Sequence, residues 1–267
     1  MKTTGTIALL LPILALACDE SKYDKYLTPD TAASAPPTTV LPPPPATASA
    51  PPAPTWTKKL ASDCKPHPAS IDFTDQPALE ADVRKKLGKD TGPIAPAELA
   101  QIKSINVSQG QVHYIDPCIF PMFASLQDLF LGPGEYVDLT PIQKLTTLES
   151  LRAASSPLKD LRPIEGLKRL DRLDLSHTLV GDKELESVGS LVNLTELMLD
   201  EDQISDLTPV SNLKKLMRLS IKKTQVKNLA PLAGIKTMKF LYIAETPVTD
   251  ISPVQPLISG GMKLIQN

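Results

Sequence analysis

The sequence predicts an α/β repeat solenoid: a curved, right-handed stack with short parallel strands on its concave face, 3-10 or irregular segments on its convex side, and a helical N-terminal cap. Three observations predict it. A Leu-x-Pro-apolar fragment returns at a spacing of 22 residues, a pair of alternating apolar residues returns in step with it, and the region ahead of both is composed like a tether rather than a core. The overall composition, 27 Pro against five Phe, five Tyr and one Trp in 267 residues, averages these unlike regions and describes none of them.

Taken in order, Met1 to Cys18 reads MKTTGTIALLLPILALAC, with an early charge at Lys2, an apolar run from Ile7 to Leu16 and small Ala17 before Cys18. This is export-signal composition. The run is shorter than the roughly 20 residues of a spanning helix, and Pro12 interrupts it, which argues against a permanent transmembrane anchor. Leu14-Ala15-Leu16-Ala17-Cys18 resembles a bacterial lipoprotein box, although Ala15 stands where Leu is commoner. The resemblance implies removal of residues 1–17, lipid on Cys18, and residence in the bacterial cell envelope, anchored to a membrane on the periplasmic face or at the cell surface. Ordinary cleavage near Ala17, with Cys18 an incidental thiol, is the alternative. Residues 18–57 then form a tether. Thr28 to Thr57 holds ten Pro and a single charge, Asp30. Such a stretch lacks backbone donors and core residues, and in an extended polyproline form at about 3.1 Å per residue it spans up to roughly 90 Å.

Residues 58–101 are expected to cap the stack. Leu79, Val83 and Leu87 lie four apart on one helix face, with Asp75 as the candidate N-cap and Gly88 as the terminator. Residues 102–267 carry the repeats. The proline fragment occurs at Leu139-Thr-Pro141-Ile142, Leu161-Arg-Pro163-Ile164, Leu207-Thr-Pro209-Val210, Leu229-Ala-Pro231-Leu232 and Ile251-Ser-Pro253-Val254, with a degenerate copy at Ile115-Asp-Pro117-Cys118. In the one double-length gap, Lys183 to Val188 stands in without proline. The alternating pairs are Ile105-x-Val107, Leu129-x-Leu131, Leu151-x-Ala153, Leu173-x-Leu175, Leu197-x-Leu199, Leu219-x-Ile221 and Leu241-x-Ile243, each the mark of a half-buried strand. Met262-Lys263-Leu264 reads as a shifted final strand, whose open edge Lys263 and the Gly260-Gly261 bend would blunt.

One short strand per 22-residue repeat is what a leucine-rich repeat requires. The pattern resembles the internalin-type repeats from about Phe73 to Ile265. After the strand, Thr178, Thr224 and Thr246 match that type, while Ser156 and Asp202 depart from it. The resemblance implies binding of a protein partner through the concave face. If Cys18 carries lipid, Cys64 and Cys118 remain as an even pair in an oxidising compartment, so a disulfide is expected, with two buried free thiols as the alternative. A Cys64–Cys118 bond would staple the segment entering the cap to the first full repeat.

On the concave face the readable positions lie between the leucines. Phe130, Arg152, Asp174, Met198, Met217, Phe240 and Tyr242 are the partner-binding candidates, with Met198, Met217, Phe240 and Tyr242 forming an apolar cluster in the C-terminal half. Mutual cover by neighbouring strands is the competing account of that cluster. Arg152 beside Asp174, Arg172 to Glu196 to Arg218, and Asp200-Glu201 beside Lys222-Lys223 alternate in sign, as cross-strand pairs do. A net charge of -2 and pI near 6.0 disfavour nucleic acid as partner. No catalytic group of nucleophile, base and orienting residue can be assembled, and no phosphate or dinucleotide motif is present, so neither an enzyme nor a cofactor nor a small-molecule substrate is expected. Cys64-Lys65-Pro66-His67 offers two ligands where zinc needs three or four, so no metal is expected. A structural role in the envelope, through self-association or cell-wall contact, is the rival to partner binding.

Overall fold

The computed structural model describes residues 59–65 and 68–266. The signal segment, Cys18, the tether and His67 lie outside the described residues.

Each alternating apolar pair forms a three-residue strand: β1 Ser104–Asn106, β2 Asp128–Phe130, β3 Ser150–Arg152, β4 Arg172–Asp174, β5 Glu196–Met198, β6 Arg218–Ser220, β7 Phe240–Tyr242 and β8 Lys263–Ile265. They pair in sequence order in one parallel sheet. The register puts Ile105, Leu129, Leu151, Leu173, Leu197, Leu219, Leu241 and Leu264 in one inward row. A slip of one residue would turn that row to solvent, so the leucines themselves set the register. The ladder outruns the strands: the amides of Ala153, Leu175, Leu199 and Ile221 donate to Asp174, Met198, Ser220 and Tyr242 in the following repeat. The chain then turns through a left-handed residue at the same phase of five repeats, Ser155, His177, Glu201, Lys223 and Glu245, with φ between 54 and 63°. The amides of the first four still donate to the next repeat, which holds that turn in place.

The proline fragments form 3-10 turns at Thr140–Ile142, Arg162–Ile164, Thr208–Asn212, Ala230–Leu232 and Ser252–Val254. Proline suits this place because it lacks an N–H that a first turn would leave unpaired. The amide just before each proline is bonded by a side chain three residues ahead of that proline. Asp138, Asp160, Asp206, Asn228 and Asp250 accept from Thr140, Arg162, Thr208, Ala230 and Ser252 at 2.8–3.0 Å. The full motif is therefore Asx-apolar-x-Pro, and its first member, visible in the sequence, escapes a search keyed on leucine and proline. In the repeat without proline the backbone closes a true helix, α3 Asp182–Val188, and the two extra residues are absorbed there.

Inward side chains of all repeats join one core from Phe73 to Met262. Tyr136 belongs to this core: its ring is buried and its hydroxyl donates to the Ala154 carbonyl at 3.2 Å. Burial pushes its phenol up to about 12, so it stays a donor.

At the N-terminal end, α1 Pro77–Leu87 and α2 Pro96–Leu99 cover the first strand, with Leu79, Val83 and Leu99 buried. Gly88 ends α1 at φ 64°. The expected N-cap is corrected: Gln76 holds that position without a side-chain cap, and Pro77 starts the helix instead. Asp75 faces Lys59 at 3.9 Å. Cys64 and Cys118 are bonded, with Cα atoms 5.1 Å apart, so the free-thiol alternative falls. Beside the disulfide, fully buried Asp116 accepts from the Cys118 amide at 2.7 Å and pairs with Lys59 at 3.3 Å. Covalent and ionic contacts thus fasten the start of the described chain to the first repeat.

The C-terminal end departs from the 22-residue step. A short helix, α4 Gln255–Ser259, and a bend through Gly260 and Gly261, the latter at φ 103°, put Leu264 opposite Leu241 one residue late. Lys263 stands over the face of the sheet, 5.5 Å from the Phe240 ring, rather than across its outer edge.

Candidate partner-binding face

Two outward columns flank the inward leucines. One runs Ser104, Asp128, Ser150, Arg172, Glu196, Arg218, Phe240, Lys263; the other runs Asn106, Phe130, Arg152, Asp174, Met198, Ser220, Tyr242, Ile265. Six of the seven candidates lie in these columns. Met217 precedes β6, immediately before Arg218 of the first column. Within the columns the apolar candidates are not contiguous. Met198 and Tyr242 are separated by Ser220, whose hydroxyl is turned to Asp200 at 2.5 Å. Phe130 lies between Asn106 and Arg152 in its column.

Phe240 is half-buried beneath charge. The Arg218 guanidinium lies 5.0 Å from its ring centre and the Lys263 ammonium 5.5 Å, so cations flank the ring from both neighbouring strands. Tyr242, one pleat on, remains partly exposed beside Ile265.

The charged positions pair largely as their alternation implies. Arg152 meets Asp174 at 3.2 Å, Lys222 meets Asp200 at 3.1 Å, and Glu201 joins both Lys223 at 3.1 Å and His177 at 3.0 Å. Arg218 approaches Glu196 at 3.8 Å. Burial raises the Glu196 carboxyl above its usual range, against the pull of Arg218 and Arg172. Arg172 also reaches back across small Ser150 to Asp128 at 3.8 Å, a contact two strands away that nearest-neighbour reading misses.

The polar ladder behind the left-handed turns has one exception. Ser156, Thr224 and Thr246 return their hydroxyls to the carbonyl three residues earlier. Thr178 instead gives both its amide and its hydroxyl to Oδ1 of Asp202 at 2.8 Å, and Oδ2 of that buried carboxyl has no hydrogen-bond partner. Burial pushes Asp202 up to about 7, helped by the nearby charges of Asp174 and Asp200.

Among the described residues no helix is long and apolar enough to cross a membrane, and no group of three or more His, Cys, Asp or Glu could hold a metal ion.

No family model and no curated protein matches the chain. Solved structures do. Internalin C2 of Listeria monocytogenes is 24% identical with a TM-score of 0.57, covering 72% of this chain and 93% of its own. A second internalin of that organism is 23% identical with a TM-score of 0.62 over 70% of this chain and 54% of its own. A leucine-rich-repeat protein of Leptospira interrogans is 17% identical with a TM-score of 0.53, over 62% and 49%. The fold is that of a leucine-rich-repeat solenoid. The chain spans about half the length of the latter two proteins.

Proposed function

We propose that this chain is a membrane-tethered binding module that recognises a protein through the outward face of its leucine-rich-repeat sheet. In this reading residues 1–17 are the signal peptide, Cys18 carries lipid, residues 18–57 hold the module away from the membrane, residues 58–101 cap the stack and residues 102–267 form the repeats. The observation that carries the reading is the C-terminal end of the sheet. There Phe240 and Tyr242 stand on the outward side of β7, whereas the outward positions of β3 and β4 are taken up by the Arg152–Asp174 pair and the reach of Arg172 to Asp128. Aromatic side chains on a rigid sheet supply contact area at low entropic cost. Resemblance of the repeats to internalins supports the same use of the fold.

The test is crosslinking and affinity capture from native membranes with wild type and Phe240→Ser/Tyr242→Ser, after equal thermal stability has been verified. A protein recovered with the wild type and lost with the variant is expected. Recovery of the same proteins with both, or of the chain alone, overturns face recognition in favour of a scaffold role.

A further inference from the structure

The net charge of -2 hides a polarity along the stack. Residues 59–206 carry 24 acidic and 15 basic side chains, whereas residues 207–267 carry nine basic ones against only Glu245 and Asp250. Between Asp206 and Glu245 there are eight Lys or Arg and no acid.

The structure sorts these cations into used and unused. Lys222 and Lys223, at the C-terminal end of β6, are taken up by Asp200 and Glu201. Arg218 lies between Glu196 and the Phe240 ring. On the opposite rim, where the chain enters β6 to β8, Lys214 and Lys236 occupy equivalent places in consecutive repeats, and Lys239 sits immediately before β7. All three are exposed and form no ion pair among the described residues. Lys215 binds only the neutral Asn193 side-chain oxygen at 2.7 Å, leaving its charge uncompensated. Lys263 closes the group beside Phe240. Stacking at about 4.8 Å per strand sets the equivalent Lys214 and Lys236 in adjacent repeats, well within one Debye length of about 10 Å at the backbone. Their mutual repulsion is relieved by an anion, and in the corresponding place three and four repeats earlier, Asp171 and Glu149 stand where Lys239 does.

We infer that this rim, Lys214, Lys215, Lys236, Lys239 and Lys263 bordering Phe240, receives an acidic segment of the protein partner. The inference rests on the protein-binding reading and names the chemistry of what is bound. A polypeptide fits better than a phosphate polymer or a bilayer surface because the charged rim leads, through Lys263 and the Phe240 ring, onto the column that holds partly exposed Tyr242 and Ile265, which ask for an apolar counterpart beside the carboxylates.

The full chain is titrated by fluorescence anisotropy with a labelled peptide alternating glutamate and phenylalanine, and with its glutamine counterpart. Phosphatidylcholine vesicles with and without phosphatidylglycerol, and inorganic polyphosphate, are titrated in parallel. The glutamate peptide is expected to bind with an affinity that falls as salt rises, Lys236→Glu/Lys239→Glu to weaken it about tenfold, and Lys183→Glu, on the far side of the stack, to leave it within about twofold. Equal binding of the glutamine peptide, equal binding by the rim variant, or binding confined to anionic vesicles or polyphosphate overturns the inference. Applied to membrane capture, the same rim variant separates the two claims. A partner lost with Phe240→Ser/Tyr242→Ser but retained by Lys236→Glu/Lys239→Glu refutes the acidic segment and leaves protein recognition standing.

Discussion

Asp202 makes the stability of this solenoid depend on pH in a way one substitution removes. Its carboxyl is 4% exposed, accepts twice from Thr178 through Oδ1, and has an unpartnered Oδ2. Burial raises it from 3.8 to about 7. Because the folded value lies above the unfolded one, folding takes up a proton between these limits. Stability is greatest below pH ~4, falls through the window, and levels off above pH ~7. At about 1.4 kcal/mol for each tenfold change, the window is worth at most about 4 kcal/mol, less whatever relaxation or water entry relieves. Asp202→Asn keeps the Thr178 acceptor and replaces a protonated carboxyl by an amide of the same shape, so wild type and variant should match near pH 4. By pH 8 the variant should be more stable by about 2–4 kcal/mol, a melting temperature higher by roughly 10 °C in a domain of this size. Urea midpoints of both proteins across pH 4.5–8.5 measure the difference. A gap that stays constant over that range refutes the assignment of the titrating group.

Two further predictions concern the N-terminal end. The Cys64–Cys118 bond closes a separation of 54 residues, for which loop entropy gives about 4 kcal/mol; since each repeat contacts only its neighbours, Cys64→Ser/Cys118→Ser should speed amide exchange in residues 68–107 and leave β5 to β7 unchanged. Gly134 passes so close to the preceding repeat that a Cβ would overlap the Val112 carbonyl, whereas the nearest atom to one at Gly166 is 4.0 Å away. Gly134→Ala should therefore cost about 3 kcal/mol in thermal unfolding and Gly166→Ala under about 0.5.

The repeat, its phase, the strand positions and the capping helix were legible in the sequence because each follows from a local rule. An inward row needs an apolar residue at every second strand position, and a 3-10 turn accepts proline where no N–H is needed. The same rules located the outward columns, since whatever lies between inward leucines must face away from them.

What the sequence could not decide depends on partners distant along the chain. The repeat marks Asp202 as the acid standing at the threonine position, but that its carboxyl is buried against Thr178, 24 residues away, is decided by the stacking. Phe240 reads as a bare aromatic until Arg218 and Lys263 are placed on either side of it by the parallel register. The pairing of Cys64 with Cys118 required a distance. Likewise, the count of lysines after Asp206 was always in the sequence, but which of them remain uncompensated was decided by the stacking, which brings Asp200 and Glu201 to Lys222 and Lys223 and brings no acid to Lys214, Lys236 or Lys239 among the described residues. Short-range sterics and hydrophobic period determine the elements of this protein, whereas charge and hydrogen-bond balance are settled only between repeats, once parallel stacking holds residues 22 or 24 apart in sequence about 4.8 Å apart in space.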